Sequence, residues 1–273
     1  MTPIIIIGGG AGSGKDTVAE MLCRGRNGVM IAQADPMKQF AQQVAGFTTD
    51  QLWGPSSSRN AEDQRFAPGL EGDGNWELLA GQVLFSDVAP AWLEHIGAPQ
   101  GFPALQAWFN KLREDFKDRT LTPRAFLQTL GTEFGRAVSR DVWSTLALSQ
   151  ARELLVGGAS YDRERGLQAD PANPGHAFVV ITDGRFRNEI VNVVSMGGFA
   201  LKIVNPVDES AATETAGIKG HASEAQLKGI PDAWYNLILT NDKRRGLQSL
   251  QGAVDRLATA LAAGEHLYKE FNP

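Results

Sequence analysis

Cysteine is nearly absent from this chain: Cys23 stands alone among 273 residues. A single thiol excludes an intramolecular disulfide and fits a reducing, cytoplasmic compartment. No apolar run reaches membrane-spanning length, and the short isoleucine run at 4–7 has no basic leader. Neither a transmembrane segment nor a signal peptide is therefore expected. An excess of positive charge is also missing. The formal charge of −5 gives no overall electrostatic case for nucleic acid or an anionic membrane as partner. Histidine is scarce, no His/Cys/Asp grouping has zinc spacing, and no G-x-S-x-G elbow appears.

What the chain does have is a glycine-rich opening, "IIIIGGGAGSGKDT", over residues 4–17. Four β-branched residues ending at Gly8 predict a buried strand of a parallel sheet. The glycines then allow a tight turn with N–H groups pointing inward. A helix is expected from Asp16 to about Cys23, with Val18, Ala19 and Leu22 inward. Strand, loop and helix N-terminus make an anion cradle. Gly9, Gly14 and Lys15 match the phosphate-loop spacing G-x-x-x-x-G-K-[ST]. The candidate nucleotide ligands are Gly10, Ala11, Gly12, Ser13, Gly14, Lys15, Asp16 and Thr17. The hydroxyl slot after the lysine holds Asp16, and Thr17 comes one place late. A carboxylate roughly 4 Å from a phosphate charge is repelled by about 4 kcal/mol in a medium of intermediate dielectric, unless a cation lies between them. Asp16 is therefore expected to face Mg²⁺. The other reading is that Asp16 points away and Thr17 serves from the next helical position.

Short apolar runs at 29–32, 177–182, 200–204 and 235–240 predict four further strands separated by helices. The expected fold is α/β, a P-loop NTPase core with a five-stranded parallel sheet flanked by helices. Asp35-Pro36 should start a helix, with Asp35 as N-cap and Met37, Phe40, Ala41 and Val44 inward. Thr122-Pro123 should open another, burying Phe126, Leu127, Leu130 and Phe134. Asp141 caps the next, and a final helix carries Leu247, Leu250, Val254, Leu257 and Leu261 up to Gly264. Residues 46–121 concentrate glycine, proline and tryptophan and are too long for a βα connection. They read as an inserted subdomain with helical pieces, leaving 1–45 and 122–273 as the core. "SYDRERGLQADPANPG" reads as a solvated polar loop, and 205–232 as a flap.

Ligands of such sheets lie at the carboxyl ends of the strands. Gly9 to Lys15, Asp35, Asp183 and Asn241 all fall there. "VVITDGRFRNE" sets Asp183 directly after an apolar run, where an acid helps hold Mg²⁺. Asp16 and Asp183 are thus the metal candidates. Arg185, nearer the strand end than Arg187, is the choice for a phosphate contact, and Glu189 caps or pairs. "LQTLGTEFGR" sets Gln128, Thr132 and Arg136 at i, i+4 and i+8. They share one side of a helix that either reads a base or phosphate or is an ordinary polar outer face.

In order along the chain, "GSGKDT", "ADPMK", "LWGPSSSRN", "LQTLGTEFGR", "ITDGRFRNE", "HASE" and "LTND" resemble the deoxynucleoside monophosphate kinases of tailed bacteriophages. The resemblance covers nearly the whole chain and includes the aspartate after the loop lysine. It implies a core, a helical monophosphate-binding insert at 46–121 and a lid near 205–232. It implies transfer of the γ-phosphoryl group of ATP to a deoxynucleoside monophosphate, with Mg²⁺ as cofactor. The partners implied are these small nucleotides, with no nucleic acid and no membrane, in the host-cell cytoplasm if the protein is phage-encoded. Residues Gly9 to Thr17, with Asn241, would hold the donor. Asp35, Lys38 and Arg59 would lie near the acceptor, with Arg65 ranked behind them. Gln128, Thr132, Arg136 and Arg185 would serve the acceptor or the transferring group, and Lys15, Arg185 and Arg136 would be catalytic. One departure stands out: lids of this kind are usually arginine-rich, yet 205–232 offers only Lys219, His221 and Lys228. The alternatives are another small-molecule P-loop kinase, of dephospho-coenzyme A or phosphomevalonate type, and a non-catalytic nucleotide-binding switch. A homodimer stays open.

Overall fold

A computed structural model of the chain describes residues 4–10, 12–69, 74–206 and 230–263. These form two compact units, one of residues 4–33, 147–206 and 230–263, the other of residues 34–146.

The first unit is built on β1 (Ile4–Gly8), β2 (Gly28–Ile31), β5 (Phe178–Gly184), β6 (Phe199–Val204) and β7 (Leu237–Thr240). The sheet order is β2-β5-β1-β6-β7, and every pairing is parallel. The uninterrupted isoleucine run is explained by burial on both faces. Ile5 and Ile7 pack with α1 (Lys15–Cys23) and the final helix α12 (Gly246–Ala263). Ile4 and Ile6 pack with α10 (Val142–Val156) and α11 (Arg187–Ser195). Phe178 and Val180 alternate with Val179 and Ile181 in the same way. This is an α/β P-loop kinase fold, a parallel sheet covered by helices.

Two expectations about the first unit are corrected here. The stretch beginning at Ser160 is not an unstructured loop. It forms an antiparallel hairpin, β3 (Ala159–Asp162) and β4 (Gly166–Ala169). The Asp162 carboxylate accepts the N–H groups of Glu164 and Arg165 at 2.9 and 3.0 Å, closing the turn. Tyr161 and Leu167 pack inward behind the charged tip. Leu247 does not join the core; it is 67% exposed on the first turn of α12, while Leu250, Val254, Leu257 and Leu261 are buried as expected. Gly264 lies outside the described residues.

The second unit is helical: α2 (Asp35–Ala45), α3 (Thr49–Trp53), α4 (Ser56–Asn60), α5 (Gly74–Leu84), α6 (Val88–His95), α7 (Phe102–Asp115), α8 (Pro123–Thr129) and α9 (Gly135–Val138). Its aromatic core explains the tryptophan-rich texture. Phe40 stacks on Trp92 at 4.2 Å, and Trp108 meets Phe126 edge-on at 5.2 Å. Three of the buried indoles find an acceptor for their N–H within the fold. Trp92 donates to the Pro36 carbonyl, Trp108 to Thr129 Oγ1 and Trp143 to the Gly131 carbonyl. Ala34, not Asp35, is the N-cap of α2; Asp35 is already its first residue.

Candidate active site

The first unit holds the loop. At its start, Gly8 carries the Tyr235 ring against its α-carbon; a Cβ there would sit 2.5 Å from Tyr235 Oη. Gly9, Gly12 and Gly14 have φ of +143°, +76° and +94°, conformations that only glycine adopts without strain. Ser13 is buried, and its Oγ has no hydrogen-bond partner among the described residues. The helix then begins at Lys15, one residue earlier than expected. The Lys15 ammonium donates to the carbonyls of Gly9 and Gly10 at 2.9 and 2.8 Å, which holds it over the loop. Asp16 is exposed on the first turn of α1 and Thr17 is half-buried. Ala11 lies outside the described residues.

Asn241 supports this loop from the end of β7. Its Nδ2 donates to the Ser13 carbonyl at 2.8 Å, and its own N–H donates to the Val204 carbonyl. Beside it is a cavity of about 400 Å³, lined by Thr240, Asn241, Asp242, Arg245, Ser249 and Leu250 among others.

Asp183 is the penultimate residue of β5, next to Gly184, which pairs with Gly8 of the loop strand. Its Oδ1 accepts the Gln33 N–H at 2.8 Å, so backbone geometry fixes the carboxylate. The two arginines that follow are separated by their surroundings. Arg187 stacks on Trp234, 4.0 Å from the ring centre. Arg185, half-buried, has no carboxylate partner among the described residues.

Glu189 is buried, and its Oε2 accepts the N–H groups of Arg185 and Phe186 at 2.7 and 3.0 Å. It is the capping residue of α11, as its spacing allowed, but it is also an acid out of water. Burial pushes its carboxyl up from 4.5 to about 7, the two backbone N–H donors opposing the rise and the nearby Asp183 charge adding to it. The folded protein thus favours the protonated acid. Its contribution to stability is complete below 4.5 and is lost as pH rises through about 7. The span is roughly 3 kcal/mol. Urea unfolding of wild type and Glu189→Gln at pH 5 and pH 8 checks this. The wild type should lose stability relative to the variant at the higher pH; an equal difference at both pH values contradicts the assignment.

The second unit holds the other candidate residues. Asp35, 3% exposed, accepts on Oδ1 from Lys38 Nζ at 3.2 Å and from Trp53 Nε1 at 2.9 Å. Arg59 is half-buried, and its guanidinium donates to Ser56 Oγ at 3.3 Å. Arg65 is engaged elsewhere. Its guanidinium forms a two-pronged pair with the buried Asp63 at 2.9 and 2.7 Å, which Gln51 also reaches at 3.0 Å. That pair lowers the Asp63 carboxyl against the burial that would raise it. Arg65 thus braces α3, and its charge is already balanced.

Gln128, Thr132 and Arg136 do not form an even ridge. Residues Leu130–Phe134 make a π-helical turn between α8 and α9, with five residues where a straight helix needs four. Gln128 is buried, Thr132 half-buried and Arg136 exposed. Gly131 and Gly135 allow the turn to pack tightly. A Cβ at Gly135 would lie 2.4 Å from Trp143 Nε1, and one at Gly131 2.9 Å from Met37 Sδ. Lys219, His221 and Lys228 lie outside the described residues.

The sequence reading missed three residues. Trp53 stood only inside the quoted "LWGPSSSRN" and Tyr235 only at the start of the 235–240 run, and Gln33 carries no motif. The only signal for Trp53 was its place beside the "GPSSSR" segment; for Gln33 it was its position at a strand end.

The sheet and its helices form a P-loop kinase fold, with a glycine-rich loop at the carboxyl end of the central strand. No family model matches the chain. Over 242 residues, 88% of this chain and 90% of its relative, it is 24% identical to a protein of Acanthamoeba polyphaga mimivirus named "Putative deoxynucleotide monophosphate kinase". That likeness supports a nucleotide kinase. No helix among the described residues is long and apolar enough to cross a membrane.

Proposed function

We propose that the protein is a deoxynucleoside monophosphate kinase that transfers the γ-phosphoryl group of ATP to a dNMP, giving dNDP and ADP. One observation carries this most: a loop of left-handed glycines around a buried serine, with Lys15 over it, at the carboxyl end of the central strand. Its N–H groups and helix N-terminus suit polyphosphate. The cavity beside Asn241 is the candidate seat for the donor base.

The donor set also fits Mg²⁺, since Asp16 and Asp183 offer hard oxygen ligands beside the loop. When bound, the ion supplies charge neutralisation at the donor phosphates. Among the described residues no cluster of three or more acidic, histidine or cysteine side chains exists, so phosphate and water oxygens complete such a shell. Lys15 orients the phosphates, and Arg185, with no carboxylate partner among the described residues, meets charge as it moves between oxygens. Lys38 and Arg59 are the acceptor-phosphate residues, and Gln128 with Thr132 the candidates for reading the base. Arg136 is a second candidate for the transferring group.

A phosphate acceptor needs no strong base, because a phosphate monoester is largely dianionic at neutral pH. The Asp35 geometry agrees. Its Oδ1 is engaged by Lys38 and Trp53, which turns this oxygen toward holding the ammonium and away from a hydroxyl acceptor of the dephospho-coenzyme A type. ADP release with ATP and Mg²⁺ should therefore depend on added dNMP and not on dephospho-coenzyme A. ADP release that ignores every acceptor would favour a nucleotide-binding switch.

A further inference from the structure

In the second unit, Asp35, Lys38 and Trp53 form a closed triangle. Asp35 and Lys38 are three apart on α2, so the helix places them side by side. Trp53 ends the single turn of α3, which a reciprocal Thr48/Gln51 cap fixes. Its indole N–H donates to Asp35 Oδ1, the oxygen that Lys38 also reaches. The Lys38 ammonium lies 5.4 Å from the Trp53 ring centre, within cation–π range. Each residue therefore touches the other two.

The ammonium has three N–H groups. Among the described residues it gives one hydrogen bond, to Asp35, and the indole face shields a second side. The Lys38 side chain is 15% exposed, so it is held in place and not free to swing. A phenylalanine would keep an aromatic ring beside Lys38 but would lose the N–H that reaches Asp35 Oδ1. The indole N–H takes a share of that oxygen and fixes its direction, leaving the ammonium aimed with donors to give.

We infer that Trp53 is a positioning residue: through Asp35 it holds the Lys38 ammonium for the phosphate monoester of the acceptor. This rests on the kinase reading above and adds a residue to it. The substrate class is a phosphate monoester dianion, which an ammonium binds as a point charge.

The test is steady-state kinetics of wild type, Trp53→Phe, Lys38→Ala and the double variant, varying dNMP and ATP separately. Trp53→Phe keeps an aromatic face and loses the N–H. The KM for dNMP should rise about 10-fold, with the KM for ATP unchanged. The rise in the double variant should match that of Lys38→Ala alone, because both changes act through one ammonium. A dNMP KM that Trp53→Phe leaves unchanged overturns the inference, and so does an effect that adds fully to that of Lys38→Ala. If Trp53→Phe does not fold, Asp35→Asn cuts the same triangle from another corner and should give the same KM pattern. If wild type turns over no nucleotide, the kinase reading has failed on its own. Calorimetric titration with inorganic phosphate then decides: weaker binding in the variant keeps the inference, equal binding ends it.

Discussion

Replacing Arg185 with alanine should lower kcat by about 10³-fold, while the KM for ATP stays within a factor of about three. The expectation rests on its surroundings. The turn after β5 is fixed at both ends, by the Gln33 N–H on Asp183 and by Glu189 on the Arg185 and Phe186 N–H groups. Arg187 is stacked on Trp234 and Arg65 is paired with Asp63, so neither is available in the same sense. An arginine that engages only the transferring group acts in the transition state, which separates kcat from KM. Lysine at this position should recover little, because it lacks the planar fork. A fall of less than 10-fold in kcat would take Arg185 out of the reaction and leave Arg136 as the candidate.

The second large effect is at Gly14. Gly14→Ala meets two obstacles: φ is +94°, and the new Cβ would lie 2.3 Å from Asn241 Nδ2. Moving Asn241 aside breaks its bond to the Ser13 carbonyl. Strain and the lost buried hydrogen bond together should cost about 2–4 kcal/mol, and ATP binding should be lost with the loop shape. Gly10→Ala is the contrast. Nothing lies within 4 Å of its Cβ position, so its stability should shift by less than about 0.5 kcal/mol. Urea unfolding and ATP titration of the two variants check this. Equal stability losses would show that crowding by Asn241 does not set the loop.

Much of this architecture was legible in the residues. The run Ile4 to Ile7 announced a strand buried on both faces, and Ile5/Ile7 and Ile4/Ile6 do divide between two cores. The stripe Met37, Phe40, Ala41 and Val44 is buried as its spacing required. Three features resisted for physical reasons. The hairpin at Ala159–Ala169 hides two inward side chains among charges that belong to its turn. The π turn at Leu130–Phe134 breaks the regular helical period that placed Gln128, Thr132 and Arg136 in one row. Leu247 fits the apolar stripe but lies in the first turn of its helix, before the core begins. Site chemistry was harder to see. Whether an arginine is free or paired depends on partners distant in sequence, as Arg187 and Trp234 show. Likewise a tryptophan N–H bonded to an aspartate looks, in sequence, like any core tryptophan.

The central claim is phosphoryl transfer to a nucleotide, and following the label tests it most directly. Wild-type protein is incubated with Mg²⁺, ATP labelled in the γ-phosphate and a panel of dNMPs, and the products are separated by chromatography. The account predicts label in dNDP for one or more bases, with little free phosphate. Label that stays in ATP, or appears only as inorganic phosphate whichever dNMP is present, would contradict it.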